Sequence, residues 1–427
     1  MDKMQGGKRM ITCAELENLR SSWKGEVCIF GAGQIGKGTA YEVIKTAGFH
    51  VDFYCDNYVP TGTYVKDDLI VKDIQYLYEH KDDILVFLCV SAQYQKQILE
   101  QLGNHNIKDI VILDASDCYI SQIMEEVDKA DDETKKRWHA FYDDVEFLSK
   151  VFKKQMGYDL NIENPKTYHE KLQWLKLYDR NPAYTQMVDK YAVKKYIEEK
   201  VGKEYVVPTL GVYDTFDDIE FEKLPEQFVL KCTHDSGSIV KCRDKNCFDK
   251  EKAREILERR LHINYYWSGR EWSYKNVKPR IIAEKYLEDD IDEELRDYKF
   301  FMFNGEMKCM FIVTDRNKGF EETRYDFYDE EFNHLNLTCL HPNATVPPHK
   351  PKKYEEMCEL AQKLSKDIPH VRVDFYEVNG QVYFGEMTFY HDSGWVHFEP
   401  HKWDRIFGDW IDLDIRKENL SDKILGV

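Results

Sequence analysis

Through the first 120 or so residues, short apolar runs alternate with stretches that carry apolar side chains at helical spacing. The run EVCIFGAG (26–33) predicts a strand, and 34–47 a helix. HVDFYCD (50–56), DILVFLCVS (83–91) and DIVILD (109–114) predict three more strands, with a helical pattern over 94–102 between the last two. Alternation of this kind predicts a parallel sheet with helices packed on it. Residues 120–150 (EEVDKADDETKKRWHAFYDDVEFL and its flanks) then turn charged and helical, the pattern of a solvated amphipathic connector. From about 150 the chain reads as α+β. YHEKLQWLKLYDR and QMVDKYAVKKYIEEKVG predict helices before the strand FVLKCTH (228–234). A helical region (250–263) precedes the strands RIIAEKYL (280–287), YKFFMFNG (298–305) and KCMFIVTD (308–315). A helix over 354–366 leads into VRVDFYEVNGQVYFGEMTFY. There Asn379-Gly380 predicts a hairpin turn, because both residues accept positive φ.

Composition narrows the class. The chain has 427 residues, 42% apolar, 14% aromatic and 32% charged, enough for two or three domains at roughly 100–200 residues each. A formal charge of −18 argues against nucleic acid as a partner, since phosphate binding needs a Lys/Arg excess. Eleven cysteines are scattered without a CxxC pair, and Cys28 and Cys89 sit in strand-like runs as buried thiols would. That usage suits a reducing compartment. The N-terminus lacks the apolar core of a leader, and no apolar run approaches the roughly 20 residues of a membrane span. A cytoplasmic protein is expected.

Candidate chemistry lies where polar residues interrupt the apolar runs. Lys190 lies in VDKYAVKKYIEEKVG, placed on a helix. Lys231 lies inside FVLKCTH, where an ammonium is costly unless it reaches a charge. The small-residue loop after it, with Asp235, Ser236, Gly237 and Ser238, can fold over phosphates and offer backbone N–H groups. AEKYL (283–287) is an apolar strand end where backbone groups can pair with a purine. The hairpin carries Arg372 and Asp374 on one face of its first strand, and Glu386 and Thr388 on one face of its second. Two carboxylates brought together there make a hard oxygen site suited to Mg²⁺.

Taken in order, these fragments resemble the TupA-like ATP-grasp proteins, the group named for teichuronopeptide synthesis. The resemblance covers roughly 150–413, through EKLQWLKLYDRNPAYTQMVDKYAVKKY, FVLKCTHDSGSIV, NVKPRIIAEKYLED, DYKFFMFNGE, VRVDFYEVNGQVYFGEMTFYHDSGW and FGDWIDL. It implies that Lys190 and Lys231 contact ATP phosphates, and that 234–238 is a flexible lid. It further implies that Glu284, with the backbone of Lys285, Tyr286 and Leu287, holds adenine, and that Asp297 sits where a ribose-binding acid is often found. Asp374 and Glu386 match the metal carboxylates, and Arg372 matches an arginine that steadies the transferred phosphoryl group. One position departs from the pattern: Thr388 stands where these ligases usually have Asn. Asp392 and Ser393, in HDSGW just past the metal strand, fall where the fold meets its acyl substrate.

The chemistry so implied is attack of a substrate carboxylate on the γ-phosphate, then opening of the acyl-phosphate by an amine or thiol. Mg²⁺, Lys231 and Arg372 would offset charge on the phosphoryl oxygens. The expected product is an amide between an amine or amino acid and a uronic-acid carboxylate of a capsule or cell-surface polysaccharide precursor. A glycosyltransferase using the same paired acids, and a non-catalytic nucleotide-binding protein of a glycan assembly complex, are the competing readings.

Near the N-terminus, FGAGQIG places Gly31, Gly33 and Gly36 as G-x-G-x-x-G on a strand-to-helix turn, and Asp56 closes the next strand. Glycines there allow close backbone approach, a helix N-terminus favours phosphate, and the spacing suits a dinucleotide fold. No domain for hydride transfer follows. FGAGQIGKG, FYCDN and VSAQYQKQILEQLG instead resemble the N-terminal domain of bacterial sugar acyltransferases, which implies a bound nucleotide-sugar. A nicotinamide cofactor and a purely structural domain stay open. The expected architecture is an α/β, Rossmann-like parallel-sheet domain (1–125), a helical connector (126–150) and an α+β ATP-grasp domain (151–427).

Overall fold

In the computed structural model, which describes residues 8–9, 12–33, 35–113, 117–289 and 295–413, the chain divides into two units, Met1–Asp143 and Asp144–Val427. The first contains β1 (Lys8–Arg9), β2 (Glu26–Phe30), β3 (Phe53–Cys55), β4 (Tyr64–Lys66), β5 (Leu69–Ile70), β6 (Ile84–Leu88) and β7 (Ile110–Ile112). β1, β7, β6, β2 and β3 lie side by side in that order, all parallel, and β4 pairs with β5 in a small ribbon. All five residues of β6 are buried, as a central parallel strand with both faces covered must be. The four expected strands are present; β1 adds a fifth too short to leave an apolar run. Asp114, expected at the end of the last strand, lies outside the described residues.

The helix expected over 34–47 is instead two pieces. A π-helical turn, Gly36–Ala40, with Gly38 at φ −98° and ψ −119°, runs into an α-helix over Tyr41–Thr46. Glycines at 36 and 38 each forfeit helix propensity, so the regular helix starts only after them. Gln34 lies outside the described residues. The segment read as a connector falls on both sides of the boundary, with helices Asp132–Arg137 and His139–Tyr142 before it and Asp144–Met156 after it.

The second unit contains β8 (Thr209–Tyr213), β9 (Phe228–Cys232), β10 (Ile239–Cys242), β11 (Ile281–Lys285), β12 (Asp297–Phe303), β13 (Glu306–Thr314), β14 (Arg324–Tyr328), β15 (Thr338–Cys339), β16 (His370–Val378), β17 (Gln381–Thr388) and β18 (Phe398–Glu399). They form a four-stranded antiparallel sheet, β10-β9-β11-β8, and a five-stranded one, β14-β13-β12-β16-β17, with β15 paired to β18. The helix Lys250–Leu261 packs on β9, and Tyr354–Ser365 packs on β12, β13 and β16. Phe228, Leu230 and Cys232 face the first of these cores, and Phe300, Met302, Val371 and Val373 lie in the second. β8, β10 and β14 were not expected; each is only four or five residues long and flanked by polar positions.

Residues 186–202 were read as one helix but form parts of two, Ala183–Val188 and Ala192–Lys200. Asp189 makes the break. Its Oδ1 accepts from the backbone N–H groups of Tyr191 (2.9 Å) and Ala192 (3.2 Å), and its Oδ2 pairs with Arg280 at 2.7 Å. An Asp that caps the next helix competes with continuation of the last one. Lys190 therefore sits between helices, with its backbone N–H donating to Thr233 O at 3.0 Å.

Candidate functional site

On β9 buried and half-buried residues alternate, and Lys231 is on the half-buried face. It pairs with Ile282 of β11, and Val229 pairs with Glu284, so Lys231 and Glu284 are diagonal neighbours on one face. Their side chains meet at 2.8 Å, and Lys194 reaches the other Glu284 oxygen at 2.5 Å while also donating to Val207 O. Burial opposes the Glu284 carboxylate, but Lys231 and Lys194 outweigh it and bring its pKa down to about 2. Burial likewise works against the Lys231 ammonium, yet Glu284, and behind it Glu386 and Asp297, hold its pKa above the ordinary value. Lys231 on the first sheet thus senses acids carried by the second.

The loop after β9 is anchored from within. Thr233, His234, Asp235 and Ser238 are buried, and only Ser236 and Gly237 are exposed. Ser238 Oγ donates to Asp235 Oδ1 and accepts from the Cys232 N–H, and the Lys190 ammonium donates to the Asp235 carbonyl. Ser238 is spent on the loop itself, and Asp235 Oδ2 lies 3.8 Å from Arg260 Nε outside it, which leaves the loop tip, with Gly237 at φ +90°, to approach a ligand through backbone. At the end of β11, Lys285 is exposed and donates its N–H to Pro208 O. Tyr286 accepts from Arg243 at 2.9 Å, and Leu287 is half-buried.

The second sheet supplies two rows of polar residues by register. Lys299, Asp374 and Glu386 lie opposite one another on β12, β16 and β17, and the next row holds Phe301, Arg372 and Thr388. Gly385 sits at a bulge where a Cβ would come within 3.1 Å of the Asp374 carbonyl, so glycine lets β17 re-aim Glu386 there while packing tightly on β16. Arg372 is the hub. It donates Nε to Asp374 Oδ1 (2.7 Å) and Nη2 to Asp374 Oδ2 (2.8 Å), Glu386 Oε1 (2.9 Å) and Thr388 Oγ1 (3.0 Å). Lys299 pairs with the same Asp374 oxygen and lies 3.9 Å from Asp297, whose other oxygen takes Arg316 at 2.6 Å. Burial opposes the Asp374 carboxylate, but Arg372 and Lys299 outweigh it and keep its pKa low.

Past β17 the chain makes the turn His391–Gly394, with Asp392 at φ 45° and ψ 34°, Ser393 at φ 55° and ψ 14°, and Gly394 at φ 70°. Left-handed conformation costs a non-glycine residue roughly 1–2 kcal/mol, so this turn is strained twice over. Asp392 Oδ2 is buried without a hydrogen-bond partner among the described residues. His391 accepts from Arg372 Nη1 at its Nδ1, 2.7 Å away. A guanidinium keeps its protons, so the neutral ring carries its hydrogen on Nε2. Burial, opposed by Asp392 and reinforced by Arg372, brings the His391 pKa down to about 4. Cys339, His391 and Asp392 each bring one potential ligand atom within 4.8 Å of the others. A metal there would need the Nε2 lone pair, and a ligating histidine donates from its far nitrogen rather than accepting on it. The cluster ties Arg372 to the strained turn and does not suit a cation.

In the N-terminal unit the glycines have separable jobs. Gly31 has φ +116°, and a Cβ on it would meet Cys89 O at 2.6 Å; on Gly36 it would meet Gly31 O at 1.7 Å; Gly33 has open space. Asp56 Oδ2 accepts from the Ala32 N–H at 2.8 Å, and Oδ1 accepts from Tyr58 and Val59 N–H groups. Asp56 thereby clamps the glycine loop. A cleft of about 360 Å³ opens beside it, lined among others by Gly31, Gly33, Asp56, Tyr58, Ser91 and Tyr94.

Lys194, Lys299, Arg316 and His391 belong to this constellation and were not singled out from sequence. Lys299 carried the same mark as Lys231, a lysine within an apolar strand. Lys194 looked like any solvated helix lysine.

Residues 170–412 match the model of a family described as TupA-like ATPgrasp, more than half of the chain. No curated protein matches. Among solved structures, the chain is similar to D-alanine–D-alanine ligase from Bacillus anthracis complexed with ATP, at 12% identity and TM-score 0.32 over 92% of this chain and 99% of that one. It is also similar to N5-carboxyaminoimidazole synthase from Aspergillus clavatus in complex with ADP and 5-aminoimidazole ribonucleotide, at 12% identity and TM-score 0.27 over 87% and 71%. A third is the ATP-grasp ligase PsnB complexed with minimal precursor, at 8% identity and TM-score 0.30 over 86% and 90%. With the family model spanning both sheets and the lysines, acids and arginine they carry, the chain belongs to the TupA-like ATP-grasp family and is an ATP-dependent ligase.

Proposed function

We propose that this ligase joins an amine or amino acid to the uronic-acid carboxylate of a capsule or cell-surface polysaccharide precursor, through an acyl-phosphate. The observation that carries the reading is the polar row Lys299–Asp374–Glu386 with Arg372 and Thr388 beside it, with Glu386 close enough to act electrostatically on Lys231 of the other sheet. Cations on two sheets with acids between them suit a triphosphate bridged by a metal. The donor set is oxygen only. Asp374 has three of about four lone-pair positions taken by Arg372 and Lys299, and Glu386 is more open, with its side chain 43% exposed. Asp374, Glu386 and the Thr388 hydroxyl fit Mg²⁺, which supplies charge neutralisation to the phosphates when bound. Lys190, Lys231 and the backbone at 236–237 would hold phosphates, and 284–287 would hold adenine. Asp297 has both carboxylate oxygens near cations, so a sugar hydroxyl there would displace or share Arg316.

The N-terminal cleft is proposed to hold a nucleotide-sugar. Its glycine loop offers close backbone approach, and Tyr58 and Tyr94, 78% and 44% exposed, offer ring faces to a base. Asp56, with both oxygens committed to backbone, acts there as a clamp and not as a ribose ligand. No helix among the described residues is long and apolar enough to cross a membrane, and ten described cysteines are free, eight of them buried, which supports a cytoplasmic setting. The test supplies UDP-glucuronate or UDP-galacturonate with Mg-ATP and a panel of amines and follows ADP. Amine-dependent ADP release supports the ligase; UDP release without ATP would mark a glycosyltransferase.

A further inference from the structure

Behind the strained 392–394 turn lies a buried acid–base pair that neither nucleotide nor metal accounts for. Lys176, from the helix Tyr168–Tyr178, is fully buried. Its ammonium donates to Ser393 O at 2.8 Å and to Ser393 Oγ at 3.0 Å, and it lies 4.3 Å from the Trp395 ring centre. Glu271, 5% exposed, lies beside the same hydroxyl. The two converge over Gly269, where an added Cβ would lie 2.2 Å from Ser393 Oγ and 3.4 Å from Glu271 Oε1. Backbone strain borders the contact on both sides, with Arg270 at φ 56° next to Glu271, and Asp392 and Ser393 across from it.

A turn needed only for shape would place glycine at 392 and 393, and a core needed only for packing would use apolar side chains in place of Lys176 and Glu271. Retaining strain and buried charge together points to chemistry at Ser393. The groups facing Glu271 are Lys176 from its helix, Asp392 from the turn, Arg372 from β16, the Tyr390 phenol just past β17, and the Tyr265 and Tyr274 phenols from its own segment. Burial raises the Glu271 carboxyl and lowers the Lys176 ammonium, moving both toward neutrality. A base near neutrality is the kind that can take a proton and return it within one turnover.

We propose that Glu271, through the Ser393 hydroxyl, accepts the proton of the amine in the amide-forming step, with Lys176 as the positioning residue for Ser393. The inference rests on the ligase reading above. In this step the neutral amine nitrogen forms the C–N bond, and the C–O bond to phosphate breaks with its electron pair leaving on phosphate. The amine proton passes to Ser393 Oγ as the Ser393 proton passes to the Glu271 carboxylate, which later releases it to solvent. Ser393 Oγ accepts from Lys176, donates to Glu271 and keeps one lone pair for the amine N–H.

The test uses the full chain with Mg-ATP, UDP-glucuronate or UDP-galacturonate, and either glycinamide or hydroxylamine, a weak base that attacks without help. Glu271→Gln should lower the amide-to-hydroxamate ratio about 10²-fold, the scale of general-base loss. Ser393→Ala should lower it in the same direction, and Lys176→Arg should restore part of what Lys176→Met removes. An unchanged ratio with both products falling together would overturn the proton role and leave Glu271 structural. If wild-type protein releases no ADP with either uronate, the ligase reading itself falls, and this role with it. Independently, the ¹³C carboxyl signal absent from Glu271→Gln should titrate near neutrality; titration at an ordinary glutamate position overturns the proposal even in an active ligase.

Discussion

Arg372 and Asp374, two residues apart on one face of β16, close a bidentate pair at 2.7 and 2.8 Å with Asp374 only 1% exposed. The same guanidinium spans to Glu386, Thr388 and His391, so one side chain fixes the proposed metal acids, the threonine and the substrate turn. Arginine suits this hub because its planar fork presents donors in several fixed directions at once.

Arg372→Lys keeps the charge and loses the fork. One ammonium cannot serve Asp374 twice and still reach Glu386, Thr388 and His391. We expect a stability loss of about 2–4 kcal/mol from the buried acids left short of partners, read by denaturant unfolding. ADP release should fall on the order of 10²-fold, the scale of losing a preorganised electrostatic contact. Unchanged unfolding would show that Lys299 alone satisfies Asp374.

Glu284 makes a pH prediction with a definite sign. Its folded pKa, about 2, lies below the ordinary 4.5, so the ionised form is favoured by folding. Its stabilisation is complete above pH 4.5 and is lost as pH falls through 2. The shift corresponds to about 3 kcal/mol at neutral pH. In Glu284→Gln the acid limb of stability between pH 4.5 and 2 should flatten, while Lys194 and Lys231, left facing each other, lower stability at pH 7. An acid limb as steep as that of the wild type would mean that other carboxylates set it.

These relationships differ in how far the amino-acid order revealed them. The β16–β17 hairpin was legible because Asn379 and Gly380, at φ 51° and 76°, are the residues a tight turn demands, with alternating runs on either side. Lys231 was legible because an ammonium in an apolar strand needs a reason. The break at Asp189 was not, since helical spacing continues through it and only the Asp189 cap and the Arg280 pair, 91 residues on, reveal the stop. The Lys299–Asp374–Glu386 row depends on strand register, which pairs residues 75 apart and leaves no local trace. Lys176 and Glu271 meet at Ser393 from a helix and a loop whose patterns are ordinary; burial of the pair is a property of tertiary packing alone.

Thr388 tests the departure from the family's usual Asn. Its hydroxyl accepts from Arg372 at 3.0 Å. Thr388→Val should cost about 1 kcal/mol through that lost bond and raise the Mg²⁺ concentration needed for half-maximal ADP release. Thr388→Asn should lower that concentration, because an amide oxygen is a firmer metal ligand than a hydroxyl. Identical Mg²⁺ curves for all three proteins would remove residue 388 from the metal site.

The N-terminal glycines separate fold from ligand. Gly36→Ala puts a Cβ 1.7 Å from Gly31 O, backbone that cannot yield, so the unit should lose several kcal/mol, on the scale of severe overpacking. Gly33→Ala meets nothing within 4 Å and should unfold like the wild type. If a nucleotide-sugar approaches this loop, Gly33→Ala should still weaken UDP-glucuronate binding measured by calorimetry. Binding that ignores Gly33 would place the ligand elsewhere.

Asp392 sets stability against function. It is held at φ 45° with a buried Oδ2 that lies 3.3 Å from His391 Nε2, and glycine adopts that conformation without strain. Asp392→Gly relieves about 1 kcal/mol of strain, against which stand the loss of its 3.3 Å contact with His391 Nε2 and of its attraction to Arg372. The variant should therefore stay close to wild-type stability in urea. Its amine-dependent ADP release should nonetheless fall, because a strained acid retained beside Ser393 serves the substrate rather than the fold. A variant that is both less stable and fully active would reverse that assignment and make Asp392 a structural part of the turn.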